Sequence, residues 1–314
     1  MDHFSCAPVP EPGVERAHLA LSGTALGDIA GSTHEGKFEK AIPKELIGAY
    51  SHYTDETVLS CAVAEGMRAG VEKVGRAGLA ASQQNQSLVK KELALALRNY
   101  ARQYPYAGYG KRFWDWASSD SLEAYNSYGN GAAMRAAFPG WYATTMAEAQ
   151  LLGQLSAAAT HDNPVAIEAT GVVAGCIYLL KTGGSKRDVL KFAQKHYDLS
   201  FTLDALRPMH GLHATCPGSV MVAIVSFLES TSFRHALGLA ISMGGDCDTQ
   251  AAITGAIAEA YYTVEPELLV AGLARLDNRL LDAMTAATCI LEAEGLWRPG
   301  THESAEPLTC RCRW

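Results

Sequence analysis

A chain of 314 residues with 48% hydrophobic and 19% charged side chains buries a large core and is globular rather than disordered. Its 26 basic residues against 33 acidic ones leave a net charge of −7, which excludes a phosphate-tracking surface, so no nucleic-acid partner is expected. The opening MDHFSCAPVPEPGVER lacks a basic stretch followed by an apolar one, and no apolar run reaches the roughly 18 residues of a span; neither a secretory signal nor a membrane partner is expected.

The first segment with a clear helical period is TVLSCAVAEGM, residues 57–67, where Val58, Leu59, Ala62, Val63 and Met67 recur at spacings of one, three and four. The same reading predicts helices near 88–103, 145–159, 165–181, 188–196, 219–228, 233–242, 250–262, 265–276 and 278–294, with almost no strand-like alternation. Residues 75–87, GRAGLAASQQNQS, read as a surface loop, and residues 299–314, PGTHESAEPLTCRCRW, as a C-terminal tail. No repeat period and no Pro- or Ser-rich linker divides the chain, which predicts one all-α domain over residues 1–298 and a monomer. The 8 cysteines, with no C-x-x-C pair, predict free thiols and a cytoplasmic location.

Two segments carry chemistry. GGDCDTQAAI, residues 244–253, places Asp246 and Asp248 one residue apart after a tight Gly244-Gly245 turn, at the entry to the helix expected from Gln250. HYTDET, residues 52–57, repeats the arrangement with Thr54, Asp55 and Glu56. An acid or hydroxyl at such a place serves equally as a plain N-cap. The second copy favours a shared site: if the two helix starts converge, four carboxylates and the hydroxyls of Thr54 and Thr249 share one pocket. Ala251, Ala252, Gly255, Ala256 and Ala260 permit the close helix approach this needs.

Like charges so gathered raise one another's pKa and call for a cation. An all-oxygen donor set suits Mg²⁺ or Mn²⁺ rather than zinc, and with Glu35 as a fifth carboxylate two ions balance the charge better than one. Cys247 is expected to pack inward rather than ligate. Asp246-Cys247-Asp248-Thr249 also matches the start of a DxDxT phosphatase loop, but that loop needs a preceding strand and threonine at 250, where this chain has Gly244-Gly245 and Gln250.

In YGNGAAMR, residues 128–135, the glycines flanking Asn130 allow close backbone approach and unusual turn conformations, and N–H groups of a following helix can hold a pyrophosphate. A purely structural Gly-Asn-Gly turn is the plainer alternative, and Tyr128 either stacks on a base or packs. Gly108-Tyr109-Gly110 lacks a following glycine at dinucleotide spacing and is set aside.

Six blocks in order, TALGDIAGSTHE (24–35), YTDETVLSCAVAEGM (53–67), YGNGAAMRAAFPGW (128–141), ATHDNPVAIEAT (159–170), CPGSVMVAIVSFLES (216–230) and ISMGGDCDTQAAITGAIAEAYY (241–262), make the chain resemble the ADP-ribosylglycohydrolase family, the relatives of dinitrogenase reductase-activating glycohydrolase. The resemblance implies a compact orthogonal multi-helix bundle with a central site for two Mg²⁺, or Mn²⁺, ions. It implies Thr54, Asp55, Glu56, Asp246, Asp248 and Thr249 as metal ligands, Glu35 as a mobile acid, and Glu35, Asp55 and Asp246 as the catalytic group. Tyr128, Gly129, Asn130, Gly131, Ala132, Met134 and His161 are the implied ADP-ribose contacts.

The implied reaction is hydrolysis at C1″ of ADP-ribose, releasing arginine or serine of a modified protein or the acceptor of a small ADP-ribose derivative. The resemblance extends to crystallin-like members, so a non-catalytic structural or ADP-ribose-binding role is the alternative. One departure stands out: Glu56 occupies a position where the family usually has aspartate, one methylene shorter.

Overall fold

The computed structural model describes residues 18–211 and 214–309. Its helices, in chain order, are α1 (Ser22–Gly31), α2 (Asp55–Val74), α3 (Gln83–Gln103), α4 (Lys111–Ser118), α5 (Ala137–Tyr142), α6 (Met146–Ala158) and α7 (Pro164–Lys181). There follow α8 (Lys186–Ala193), α9 (Leu203–Leu206), α10 (Cys216–Glu229), α11 (Phe233–Ile241), α12 (Cys247–Glu259), α13 (Pro266–Leu273) and α14 (Asn278–Ala293). Short 3₁₀ turns occupy Arg76–Gly78 and Asn130–Arg135. Among the described residues there is no strand, only the isolated bridges Gly129–Thr215 and Tyr262–His302. The architecture is all-α, as the helical periodicity predicts.

Local sequence accounts for many of the helix ends. Side chains of Ser82, Thr145, Asn163, Thr202, Ser232 and Asp277 each accept a backbone N–H of the helix they begin, and Ser185 with Asp188 completes a capping box on α8. Proline at the first turn starts α7, α10 and α13, where its missing N–H has no role.

Every helix expected from periodicity is present. The structure adds α1, α4, α5 and α9, and the expected loop at 75–87 contains a 3₁₀ turn and the first turn of α3. All ten residues of α1 are buried, so it has no polar face to generate a period. It lies against α12 backbone to backbone. A Cβ at Gly23 would fall 2.3 Å from Gly255 O, and one at Gly27 would fall 2.0 Å from Ala251 O. The glycines of one helix therefore meet the small residues of the other.

Helix α7 is, by length and composition, apolar enough to cross a membrane, contrary to the expectation that no run is long enough; 67% of it is buried inside the bundle, as befits a core helix. Cys61, Cys176, Cys216 and Cys247 are buried free thiols, as expected, but Cys289 is disulfide-bonded, contrary to that expectation. Cys6, Cys310 and Cys312 lie outside the described residues. The described part of the 299–314 tail is bound to the bundle: Gly300 N donates to Glu259 O, Ala305 N to Thr231 O and Leu308 N to Leu228 O.

Candidate active site

Two helix starts converge, and neither spends its acids on capping. Thr54 is the N-cap of α2 and Asp246 that of α12, yet neither makes a side-chain cap bond. Helix α12 begins at Cys247, so Asp248 and Thr249 sit within its first turn rather than ahead of it, as Asp55 and Glu56 sit within that of α2. Thr249 Oγ1 donates to Glu56 Oε1 at 2.6 Å and ties the two starts together. Gly31, at the end of α1, leaves room for the start of α12: a Cβ there would be 2.4 Å from Asp248 Cα.

Beneath them lies Asp28, fully buried on α1 and absent from the expected site. Its carboxylate accepts Thr54 N at 2.9 Å, Thr54 Oγ1 at 2.7 Å, Thr57 N at 3.1 Å and the Thr57 hydroxyl. Thr54 Oγ1 also lies against Glu56 Oε2. Asp28 thereby fixes the N-terminal turn of α2, doing for it from a distance what a cap would do locally.

A cavity of about 420 Å³ opens over these groups, lined by Glu35, Thr54, Asp55, Glu56, Asp246, Asp248 and Thr249 among others. Gly244 and Gly245 have φ of 70° and 78°, a left-handed turn that glycine alone enters cheaply. That turn binds the segment carrying Glu35: Gly36 N donates to Gly245 O at 2.9 Å, and Gly245 N donates to Lys37 O at 3.1 Å. Carboxylate oxygens of Glu35, Asp246 and Asp248 come within 4.8 Å of one another.

Among the described residues none of these acids forms an ion pair with lysine, arginine or histidine. Burial pushes the Asp55 carboxyl up to about 8, with the charge of Asp28 next in effect. Glu56 and Asp248 are driven well above the usual carboxylate range, by burial first and then by Asp248 and Asp246 respectively. Glu35 is raised by burial, Asp246 and Asp28, with His52 opposing, and Asp28 is raised by burial against the bonds from Thr54 and Thr57. Oxygen donors that repel one another and lack a counter-charge fit a hard divalent cation. Cys247 takes no part: its buried Sγ donates to Ile241 O at 3.5 Å, and burial pushes the thiol up to about 12. No strand precedes Asp246, which removes the phosphatase-loop reading.

Gly129, Asn130, Gly131, Met134 and His161 line the same cavity. Tyr128 is exposed and Ala132 fully buried, and neither lines it. Gly129 has an ordinary φ of −63°, and Gly131 is not among the positive-φ glycines, so what glycine supplies here is room. The Asn130 amide donates to Asp246 Oδ2 and to Ser219 Oγ, both at 2.8 Å; its side chain orients an acid. The remaining wall was not foreseen. Gly108 and Gly110 line the cavity although their motif gave no dinucleotide signal, together with Lys111, Arg112, Phe113 and Tyr125. Arg112 lies over the Tyr125 ring, 5.3 Å from its centroid.

The sequence model of the ADP-ribosylglycohydrolase family matches residues 10–297. Among solved structures, one titled an ADP-ribosylglycohydrolase-related protein complex is similar at 22% identity and a TM-score of 0.58, covering 87% of this chain and 95% of that one. That likeness is one of fold. No curated protein matches the chain.

Proposed function

Because the chain belongs to the ADP-ribosylglycohydrolase family, whose members hydrolyse ADP-ribose linkages, we propose that it cleaves the glycosidic bond between C1″ of ADP-ribose and an acceptor in a Mg²⁺-dependent reaction. The observation that carries this reading is the meeting of the α2 and α12 acids with Glu35 on one cavity that Gly129, Asn130 and Gly131 also line. The volume of about 420 Å³ falls in the range of small-molecule sites, about 300–1,000 Å³.

Thr54, Asp55, Glu56, Asp246, Asp248 and Thr249 are the residues that would hold two Mg²⁺, or Mn²⁺, ions. Such ions supply Lewis-acid polarisation and a fixed template for ribose hydroxyls. Glu35 stands free of any cap or ion pair among the described residues, and its raised pKa suits a carboxylate that takes the proton of the attacking water. Water oxygen then bonds to C1″ as the bond to the acceptor breaks, through an oxocarbenium-like state, and the acceptor leaves with the bonding pair and a proton. Asn130 keeps Asp246 turned into the site. Asp28 does the same for the α2 turn.

Glu56 reaches Thr249 across the site, so its extra methylene is used in closing the gap between helices. ADP-ribosylated arginine, ADP-ribosylated serine and small ADP-ribose derivatives are the substrate candidates. Titration calorimetry with ADP-ribose tests the ligand assignment: binding is expected at saturating Mg²⁺ and should weaken after chelation. Absence of binding at saturating Mg²⁺ would overturn it.

A further inference from the structure

Arg135 is fully buried on the 3₁₀ turn that begins at Asn130, and its Nε and Nη1 have no hydrogen-bond partner among the described residues. A guanidinium withdrawn from water and left partly unpaired is a poor way to fill space, since an apolar side chain of similar volume packs there without the desolvation cost. What the arginine does accomplish is directional. Its Nη2 donates to Ser156 O at 3.1 Å and to Thr160 Oγ1 at 2.6 Å, and Thr160 Oγ1 lies 2.7 Å from His161 Nδ1.

A guanidinium only donates, so the threonine oxygen accepts from it on one lone pair; with its own hydrogen directed to Nδ1 rather than to the neighbouring Tyr125, the hydroxyl donates to the imidazole. A neutral imidazole that accepts at Nδ1 carries its hydrogen on Nε2. That nitrogen faces the glycine wall: a Cβ at Gly131 would lie 3.6 Å from it and one at Gly129 3.7 Å. No group among the described residues hydrogen-bonds His161 Nε2, although the ring lines the cavity and is only 5% exposed. Burial first, then Arg135 and Arg112, hold its pKa well below the usual histidine value, so the ring is neutral.

We infer that Arg135, acting through Thr160, holds His161 in the Nε2–H tautomer, so that the wall beside Gly129 and Gly131 presents a neutral donor to an acceptor oxygen of the ligand. Arg135 and Thr160 are positioning residues, and His161 is the group that touches ligand. The tautomer is a property of the empty protein; only the identity of the ligand as ADP-ribose rests on the function proposed above. A fixed donor at this wall selects ligand oxygens and rejects a cationic or N–H group, which orients a substrate whose acceptor end carries such groups away from it.

Long-range proton–nitrogen NMR on histidine-labelled protein, with His161 assigned by His161→Gln, reads the tautomer directly. Wild type should show the hydrogen on Nε2 and an accepting Nδ1, Thr160→Ser should keep that pattern, and Thr160→Val should lose it and weaken ADP-ribose binding by about tenfold. A wild-type ring with its hydrogen on Nδ1, or an imidazolium, overturns the inference, as does a Thr160→Val protein with the wild-type pattern. If Thr160→Val fails to fold, the wild-type spectrum decides alone. If the wild-type pattern is found but ADP-ribose does not bind, the positioning stands and the ligand assignment falls.

Discussion

Thr249 Oγ1 donates to Glu56 Oε1 at 2.6 Å, one bond between helix starts separated by 193 residues of sequence. It makes the first turns of α2 and α12 a single unit and occupies an oxygen of Glu56 that is otherwise buried among like charges. Thr249→Val keeps the side-chain shape and removes the donor. The variant should lose about 1–3 kcal/mol of stability, the cost of a buried acceptor left unpaired, and its turnover should drop. Denaturant unfolding and initial rates check this; a variant as stable and as active as wild type contradicts it.

Gly31 holds the end of α1 against the backbone of Asp248, where a Cβ would come within 2.4 Å of Asp248 Cα. Backbone on both sides leaves nothing flexible to yield. Gly31→Ala should destabilise by about 3 kcal/mol and reduce the thermal shift on adding Mg²⁺, because the displaced segment carries an acid of the site. Gly48→Ala, whose Cβ would meet only Glu45 Oε2 at 3.7 Å, should stay within about 0.5 kcal/mol of wild type. Equal effects in the two variants would contradict the close-approach argument.

Much of this was legible in the sequence because the chemistry sits in short motifs. Thr54-Asp55-Glu56 and Asp246-Cys247-Asp248-Thr249 put unusual polar density at helix starts, and residue type alone marks it. Asp28 was not legible as part of the site, since its significance depends on Thr54 and Thr57 arriving beside it from another helix. Helix α1 gave no signal because burial on all sides erases periodicity. Arg112 and Tyr125 carry no motif, and their place on the cavity follows from tertiary packing. Asn130 lines the cavity as its motif suggests, but the bond from its amide to Asp246, a partner 116 residues away, has no sequence signal.

Without metal, stability should fall as pH rises. Burial takes the Asp55 carboxyl from 3.8 to about 8, and Glu56 and Asp248 shift in the same direction. Over that span the folded chain holds protons that the unfolded chain has released, so the stability these groups contribute is complete below about pH 4 and is lost on the way to about pH 8. On the proposed reading Mg²⁺ would bind the ionised set, so its stabilising effect should grow over the same span. Thermal midpoints measured across this window with EDTA and with Mg²⁺ check the prediction. A midpoint in EDTA that rises toward neutral pH contradicts it.

The central claim, that the joined acids of α2 and α12 hydrolyse an ADP-ribose linkage, is tested most directly by ADP-ribose release from ADP-ribosyl-arginine and ADP-ribosyl-serine peptides. The proteins compared are wild type, Asp55→Asn and Asp246→Asn, each with Mg²⁺ and after chelation. Wild type with Mg²⁺ should release ADP-ribose from at least one peptide, and chelation or either substitution should cut the rate by about 100-fold or more, since on the proposed mechanism these groups set the geometry of ribose and water. Release that persists unchanged in both variants and in EDTA, or no release by wild type from either peptide at saturating Mg²⁺, would contradict the claim.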